Sequence, residues 1–318
     1  MRNDAGRLSV SDSPQDDGGV GVFSRDRQIA HLSFNFVLDL ASRGIPGLKL
    51  LDCLLMMAVN QANIMPLTRD PSARSRYGAL DAPAPDLERR PVSVRAVAAS
   101  MRLPYETARR NIRRLERQGV CVVSEAGVVV PQAFMLTPAY FEAGRRGYER
   151  ALIFYRLLKA RGLLEPLPAP HYDEREPPVR GALRLMSDYL LRAAEAVDAR
   201  AGDLISTVVI LPMLAAAAGA DPGRPASAIS VAALARRTQL PPETVRRHAA
   251  ELVASGLCEN CAGGVRLADA SLTAPPWRSL LRENAIAVQR MFAGLSERGV
   301  VAVWEREAGD GRPQSEAC

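Results

Sequence analysis

Leu103–Gly119 has the sequence LPYETARRNIRRLERQG, and Leu240–Gly256 has the sequence LPPETVRRHAAELVASG. The second stretch follows the first at an offset of 137 positions, from Leu103 to Leu240. A repeat of this kind indicates two copies of one folding unit. The same offset, without a gap, pairs further identical residues: Ser93 with Ser230, Val94 with Val231, Cys121 with Cys258, Pro138 with Pro275, Arg145 with Arg282, and Arg161-Gly162 with Arg298-Gly299.

The residue pattern of each copy predicts two helices separated by a tight turn. In the first copy, the hydroxyl of Ser93 can accept a backbone N–H and cap a short helix that runs to Met101. A second helix begins near Tyr105 and ends at Gly119, as helices often do at glycine. Its apolar residues Ala108, Ile112 and Leu115 share one face. The charged residues lie on or near the other face, namely Glu106, Arg109, Arg110, Arg113, Arg114 and Arg117.

A β-hairpin is predicted directly after the second helix. The runs Val120–Val123 and Val128–Val130 are rich in β-branched residues, and Glu125-Ala126-Gly127 separates them as a turn. In the second copy, the tip of the hairpin falls at Ala262-Gly263-Gly264.

The order helix, turn, helix, hairpin resembles the winged helix-turn-helix module of bacterial transcription regulators of the MarR, GntR and IclR kind. The resemblance covers roughly 92–135 and 229–272, and it implies that each second helix enters the major groove of DNA while the hairpin lies against the backbone. The residues that it assigns to DNA binding are Tyr105, Glu106, Thr107, Arg109, Arg110, Arg113 and Arg114 in the first copy and Glu243, Thr244, Arg246, Arg247 and His248 in the second.

One departure from that family lies in the turn between the two helices. Such modules usually have glycine there, whereas this chain has Arg102 and Gln239. Each residue must therefore either adopt the left-handed backbone conformation, at a cost of about 1 kcal/mol, or use another turn geometry.

The charge of the chain suits a polyanionic partner. The net charge of the 318 residues is +6, and nearly all positive charge is arginine, because Lys49 and Lys159 are the only lysines. Arginine favours bidentate contacts with phosphate and guanine, but a GC-rich genome would produce the same bias. The span 102–118 has six arginines against two glutamates, whereas 239–255 has two against two. The first copy should therefore carry most of the electrostatic affinity for DNA.

The remaining pattern predicts a mainly α fold with small β-hairpin wings, in which two tandem winged helix-turn-helix units each have flanking helices. Apolar periodicity indicates helices at Arg27–Ser42, Leu48–Met65 and Leu183–Val197. The proline- and arginine-rich Pro66–Pro91 is predicted to be a long exposed loop. The predicted division of the chain is a disordered arm at 1–25, a first unit at 26–164, a linker at 165–180, a second unit at 181–304 and a tail at 305–318.

Leu204–Ala220 is the segment that most resembles a membrane span. It has no charged residue, but it contains Pro212 and is at the short limit for crossing a bilayer. A buried core helix is the favoured interpretation, and no membrane partner is expected.

A long helix after each hairpin has one apolar face in both copies. The face consists of Tyr140, Gly144, Tyr148, Ala151, Tyr155 and Leu158, with the repeat partners Trp277, Leu281, Ala285, Val288, Phe292 and Leu295. Its 3-and-4 spacing predicts burial. The spacing leaves open whether the face is buried within a unit, between the two units or in a homodimer through helices 139–161 and 276–298.

No motif for catalysis, a cofactor or a metal ion is present in the sequence. Phosphate loops, zinc-protease motifs and nucleophile elbows are all missing, so the chain is not expected to be an enzyme. Cys258 and Cys261 form a single C-x-x-C pair without further ligands, and Cys121 is the repeat partner of Cys258 on the first wing strand, so these cysteines are predicted to be packing residues. The cysteines number five, an odd count that favours a reducing compartment, the cytoplasm.

Three functions are consistent with this pattern. The leading hypothesis is a sequence-specific transcriptional regulator that binds double-stranded DNA through two tandem modules. A replication or segregation initiator of the plasmid type, which also resembles a tandem winged-helix protein, is the alternative. The third is a winged-helix scaffold for protein partners, because the wing tip Ser124–Gly127 has no basic residue.

Overall fold

The computed structural model describes residues 17–42, 44–171, 178–221 and 223–309, and these are mainly helical with two small antiparallel hairpins. The helices are α1 (Asp17–Ser42), α2 (Leu50–Thr68), α3 (Pro71–Arg76), α4 (Val94–Ser100), α5 (Tyr105–Arg117), α6 (Gln132–Met135), α7 (Pro138–Ala160), α8 (Val179–Ala201), α9 (Leu204–Gly219), α10 (Val231–Thr238), α11 (Pro242–Ala254), α12 (Pro275–Glu297) and α13 (Val300–Gly309). The strands are β1 (Val122–Ser124), β2 (Gly127–Val129), β3 (Cys258–Cys261) and β4 (Gly264–Leu267), and Asp86–Glu88 is a 3-10 turn.

The order helix, helix, hairpin is present in both copies, which we call the first module (92–135) and the second module (229–272). Helix α4 is capped by Ser93, whose hydroxyl accepts the backbone N–H of Ala96 at 3.1 Å, and α10 is capped in the same way by Ser230. The turn residues Arg102 and Gln239 have φ values of 47° and 55°. Both turns therefore use the left-handed conformation, which was one of the two geometries that the sequence left open.

A short additional β-bridge explains the glycine at the tip of each hairpin. Val92 pairs with Val128, and Ile229 pairs with Val265 at the equivalent position. Gly127 and Gly264 have φ values of 131° and 148°. A Cβ atom at these positions would lie 2.7 Å from the carbonyl oxygen of Val92 and 2.2 Å from that of Ile229. Only glycine fits there.

An apolar helix lies beneath each module, α2 under the first and α9 under the second. Most residues of α9 are buried, as the pattern of Leu204–Ala220 predicted for a core helix. By length and composition, α2 is the one described helix that could cross a bilayer, and half of its apolar stretch is buried in the fold. Helices α8 and α9 pass the same criterion only as a pair, and they are bent by 99° at their junction.

The later parts of the apolar faces of α7 and α12 are buried between the two halves of a single chain. Tyr155 on α7 and Phe292 on α12 have ring centroids 5.7 Å apart, and the ring of Trp304 lies 5.6 Å from Tyr155. Leu158 and Leu295 belong to the same core cluster. Trp277 and Leu281, by contrast, pack in the core of the second module, so the predicted face is buried partly within a unit and partly between the two units.

Helix α1 packs across the chain against α9 and α12. Phe34 belongs to the hydrophobic core of the second module, and the ring of His31 lies over Gly219, with Nδ1 2.9 Å from the carbonyl oxygen of Ala215. Helix α8 packs in turn against α2 and α7. The two predicted units therefore share their cores.

The ends of the chain are more helical than the sequence predicted. Helix α1 begins at Asp17, so 17–25 of the predicted arm is helix, and Phe23 packs against the core of the second module. The arm at 1–16 lies outside the described residues. Helix α13 extends to Gly309, so only 310–318 of the predicted tail remains, and it also lies outside them.

The prediction of a long exposed loop at Pro66–Pro91 is wrong. Helix α2 continues to Thr68, α3 follows it, and Tyr77, Ala84 and Arg89 are buried. The guanidinium of Arg89 donates to the carbonyl oxygen of Ala84 at 3.0 Å, and this bond compensates part of the cost of burying a charge.

The predicted linker at 165–180 begins by following α12. The hydroxyl of Ser296 donates to the carbonyl oxygen of Pro168 at 2.7 Å, and the backbone N–H of His171 donates to the carbonyl oxygen of Glu297 at 2.8 Å. Residues 172–177 lie outside the described part of the chain, and α8 already begins at Val179.

Candidate nucleic-acid interface

Helix α5 presents a charged outer face because its apolar residues are all buried on the inner face. Ala108, Ile112 and Leu115 are at most 1% exposed, and Ile112 and Leu115 belong to the core of the first module. Most of the residues predicted to bind DNA lie on the opposite side: Tyr105, Glu106, Arg109, Arg110 and Arg113 are exposed, and Thr107 is partly buried.

The exposed arginines of α5 differ in their partners. Arg109 pairs with Glu106 at 3.1 Å and Arg113 with Glu116 at 2.8 Å. Pairs of this type on a helix surface stabilise it by about 0.2–0.5 kcal/mol, so a phosphate can easily replace the glutamate. Among the described residues, no ion pair or hydrogen bond engages the guanidinium of Arg110. This side chain is therefore the most available cation on the face.

Arg114 was predicted to bind DNA, and the structure shows a different role for it. Its guanidinium pairs with Asp52 of α2, whose side chain is 2% exposed. The other carboxylate oxygen of Asp52 accepts the backbone N–H of Lys49 at 3.2 Å. Arg114 therefore holds α5 against the first turn of α2. An aspartate within a strongly apolar helix is a sequence signal for such a partner, because a buried carboxylate requires one.

The outer face of α11 carries the residues predicted for the second module, but its charges are balanced. Arg246 donates two hydrogen bonds to Glu243, at 2.6 and 2.9 Å, and Arg247 lies 3.9 Å from Glu251. The hydrogen bonds from Arg246 lower the pKa of Glu243. Thr244 is partly buried at the start of the helix.

His248 was predicted to contact DNA, but the structure places its side chain inside the fold and not on the outer face of α11. The atom Nδ1 lies 2.9 Å from Oγ of Ser206, and Nε2 lies 3.1 Å from a guanidinium nitrogen of Arg247. Since a guanidinium only donates, Nε2 accepts and the proton is assigned to Nδ1. His248 therefore connects α11 to the first turn of α9.

In both modules a polar contact joins the outer helix to the first turn of the apolar helix beneath it, but the residues that make this contact differ. Asp52 and Ser206 are each the third residue of the underlying apolar helix. In the first module the partner is Arg114, whereas in the second module it is His248. The repeat partner of His248 is Asn111, which is also buried.

A metal ion could be held near this contact. The ligand atoms of Asp203, His248 and Glu251 all lie within 4.8 Å of one another. The hydrogen bond to Ser206 occupies Nδ1, and Asp203 already accepts the backbone N–H groups of Ile205 and Ser206 as the cap of α9. Ligation through Nδ1 would require the loss of its proton. The expectation of no metal site stays a prediction.

The hairpins offer few free charges. In the second one, Arg266 pairs with Glu259 at 2.7 Å and with Asp269 at 3.3 Å. The first hairpin is held from below by Asn63 of α2, whose amide oxygen accepts the N–H of Val130 and whose nitrogen donates to the carbonyl of Val128. Asn63 is fully buried, and sequence reasoning missed its role. Three amides, Asn60, Gln61 and Asn63, lie close together in an otherwise apolar helix, and they were the available signal.

The difference in charge between the modules is smaller than the sequence indicated. Of the six arginines in 102–118, Arg114 pairs with Asp52 and Arg102 lies 3.6 Å from Asp198, two acids outside that span. Four arginines against two glutamates remain, whereas the second module stays balanced. The first module still has the excess positive charge.

The buried cysteines have the environment of packing residues. The thiol of Cys121 donates to the carbonyl oxygen of Ile112, and Cys258 contacts the sulfur of Met213. Burial raises the pKa of each thiol to about 12. Cys121 was predicted to lie on the first wing strand, but it lies immediately before β1, whereas Cys258 is the first residue of β3.

No protein-family profile matches the chain, and no curated protein or solved structure matches it either.

Proposed function

We propose that this protein is a sequence-specific DNA-binding transcriptional regulator of the cytoplasm that uses its two modules as winged helix-turn-helix units. One observation carries the proposal. In both modules the outer helix buries its apolar face and carries Glu-Thr-x-Arg-Arg near its amino end, with the glutamate and both arginines exposed and the threonine partly buried. A left-handed turn precedes each of these helices and a hairpin follows it.

The chemistry of the face fits the major groove. Recognition helices contact bases with their amino-terminal residues, which here are Tyr105, Thr107 and Arg110 in the first module. Arginine can donate two hydrogen bonds to guanine, and each good bidentate contact contributes about 1–3 kcal/mol of discrimination. Arg109 and Arg113 can exchange their glutamates for phosphates, because surface ion pairs stabilise little.

The test is selection of binding sites from a random DNA pool with the full chain, followed by fluorescence titration of the enriched duplex. The proposal predicts a motif bound at least about 10³ times more tightly than random duplex. About four neutralised phosphates should give a slope of about −4 in log K against log salt. Arg110→Ala should weaken this binding, and Arg192→Ala is the control, because Arg192 is also an exposed arginine but lies on α8, outside both modules.

A steep salt slope without an enriched motif would indicate a non-specific DNA-binding protein. A plasmid-type initiator would share the DNA-binding chemistry, and footprints at iterated origin repeats instead of promoters would identify it. A homodimer through 139–161 and 276–298 is not part of the proposal, because the apolar faces of these helices are covered within one chain.

A scaffold that binds protein is the second candidate. The hairpins favour this candidate because they offer no free positive charge to a DNA backbone. The tip of the first hairpin carries Glu125, and Arg266 on β4 of the second hairpin is paired with Glu259. This function would be supported if neither a salt slope nor an enriched DNA motif were found.

A further inference from the structure

Residues that occupy equivalent positions in the two repeats meet each other in the fold. Tyr155 and Phe292 are separated by the repeat offset, and their rings are in contact. Contact between equivalent residues is a property of two-fold symmetry, because only near such an axis does a residue face its own counterpart. A head-to-tail arrangement would bring unlike residues together.

A second set of equivalent residues meets at a separate place. Leu50 and Leu54 are the first and fifth residues of α2, and Leu204 and Val208 are the first and fifth of α9. All four form one apolar cluster. The approximate two-fold axis therefore also passes between the starts of α2 and α9.

The contacts between helices are reciprocal in the way that this symmetry requires. Helix α1 packs on α9 and α12 of the other half as well as on α7 of its own, and α8 packs on α2 and α7 of the other half as well as on α9 and α12 of its own. Each helix that precedes a module thus contacts the apolar helix and the long helix of the other half. Reciprocity of this kind defines an isologous interface, which here lies within a single chain.

The axis also passes close to the outer helices of both modules. Leu103 and Leu240 are repeat equivalents, and both pack against the cluster of Leu50, Leu54, Leu204 and Val208. Each lies two positions before the first residue of its outer helix, α5 or α11. The amino ends of the two outer helices are therefore related by the axis and lie near it.

We propose that the DNA partner of this chain is an inverted repeat, whose two half-sites have centres about one helical turn apart or less and are bound by one chain. This inference rests on the proposed function. Helix α5 packs on α2, α2 meets α9 in the cluster, and α11 packs on α9. Three helix spacings of about 8–10 Å give an upper limit of about 30 Å, close to the roughly 34 Å of one turn of DNA.

The two half-sites should share their central base pairs. The residues at the amino ends of the outer helices are the same in both modules: Glu106 and Glu243, Thr107 and Thr244, Arg109 and Arg246, and Arg110 and Arg247. The flanking residues differ, since Pro242 replaces Tyr105 and Ala250 replaces Arg113. The site is therefore an imperfect palindrome.

The test compares four duplexes built from the motif that selection enriches: the inverted repeat, the same half-sites as a direct repeat, the inverted repeat with about five base pairs inserted, and one half-site alone. The insertion turns one half-site to the opposite face of the DNA. The inverted repeat should bind at least about tenfold more tightly than each of the other three, because one linked chain engages both half-sites. Mass photometry should find one chain per duplex.

The outcomes separate this inference from the function on which it rests. Equal affinity for the direct repeat, full affinity for one half-site, or two chains per inverted repeat would overturn the inference and leave a DNA-binding protein. Failure to bind any duplex would overturn both. In a footprint, Arg247→Ala should remove protection of one half-site and leave the other protected. Protection of both half-sites in this variant would count against the assignment of α11 to the second half-site.

Discussion

Arg114 on α5 pairs with Asp52 on α2, and through this pair the outer helix of the first module is fixed to the apolar helix beneath it. The side chain of Asp52 is 2% exposed and that of Arg114 is 36% exposed. The pair is therefore more than a surface ion pair, since one member has lost nearly all contact with water.

Removal of this partner should destabilise the protein. Arg114→Ala leaves the carboxylate of Asp52 buried without its cation, and we expect a loss of up to about 3 kcal/mol in the free energy of unfolding, the low end for a buried pair because Arg114 is partly exposed. Urea denaturation measures it. Arg113→Ala, one position away and fully on the surface, should cost less than about 0.5 kcal/mol. Similar losses in the two variants would show that the pair contributes little.

The two modules should contribute unequally to DNA affinity. Arg110 has no ion-pair partner in the described part of the chain, whereas its repeat equivalent Arg247 lies beside Glu251. Arg110→Ala should therefore weaken binding about three- to tenfold more than Arg247→Ala at the same salt concentration. The double changes of Arg109 with Arg110 and of Arg246 with Arg247 extend the comparison. Equal losses in titrations of the selected duplex would contradict the asymmetry.

His248 should behave as a structural residue. His248→Ala removes the hydrogen bond with Ser206 and should lower the free energy of unfolding by about 1–2 kcal/mol. The slope of log K against log salt should not change, because the buried imidazole does not reach a phosphate. A slope shallower by about one, at unchanged stability, would restore the original prediction of a DNA contact.

The ring contact on the approximate two-fold axis should be strongly coupled. Tyr155→Ala and Phe292→Ala should each cost about 3–5 kcal/mol, as large aromatic deletions in a core do. The double variant should cost less than the sum, by about 0.5–1.5 kcal/mol. Ile286→Ala on the exposed side of α12 is the control and should change little. Additive losses would place the two rings in independent environments.

Thiol reactivity should separate the two cysteines of the C-x-x-C pair. With its pKa at about 12, Cys258 has on the order of 10⁻⁴ thiolate at pH 8, whereas Cys261 is only partly buried. In a Cys318→Ser background, iodoacetamide should label Cys261 first. Since the folded pKa of Cys258 exceeds the ordinary value of 9.0, its contribution to stability is present below pH 9 and is lost as pH rises towards 12. Rapid labelling of Cys258 at pH 8 would refute its burial.

Local features were predictable because they depend on neighbouring residues. The serine caps, the helix ends and the hairpins each follow from a few adjacent side chains. The left-handed turns at Arg102 and Gln239 were one of the two geometries that the sequence left open. The sequence repeat strengthened all of these predictions, since each pattern occurred twice.

Features that depend on distant partners were not predictable in this way. Arg114 and His248 lie on the border between the two faces of their helices, where a rotation of about one residue decides between the inside and the outside. Their partners Asp52 and Ser206 are more than forty positions away. The buried region at Pro66–Pro91 was missed because its prolines and arginines are typical of a loop, while part of its cover comes from distant α8, where Arg180 donates to the carbonyl oxygen of Ala79 at 3.2 Å.

The position of α1 affects how the protein folds during its synthesis on the ribosome. Phe34 completes a core that includes Met213 and Leu214, so its apolar surface has no native cover until nearly 180 further residues have been made. At synthesis rates of about 5–20 residues per second, this interval is roughly 10–35 seconds. During that time the apolar face of α1 around Phe34 is exposed to solvent and available for chaperone binding. A chain that is truncated after the first module would expose this face permanently.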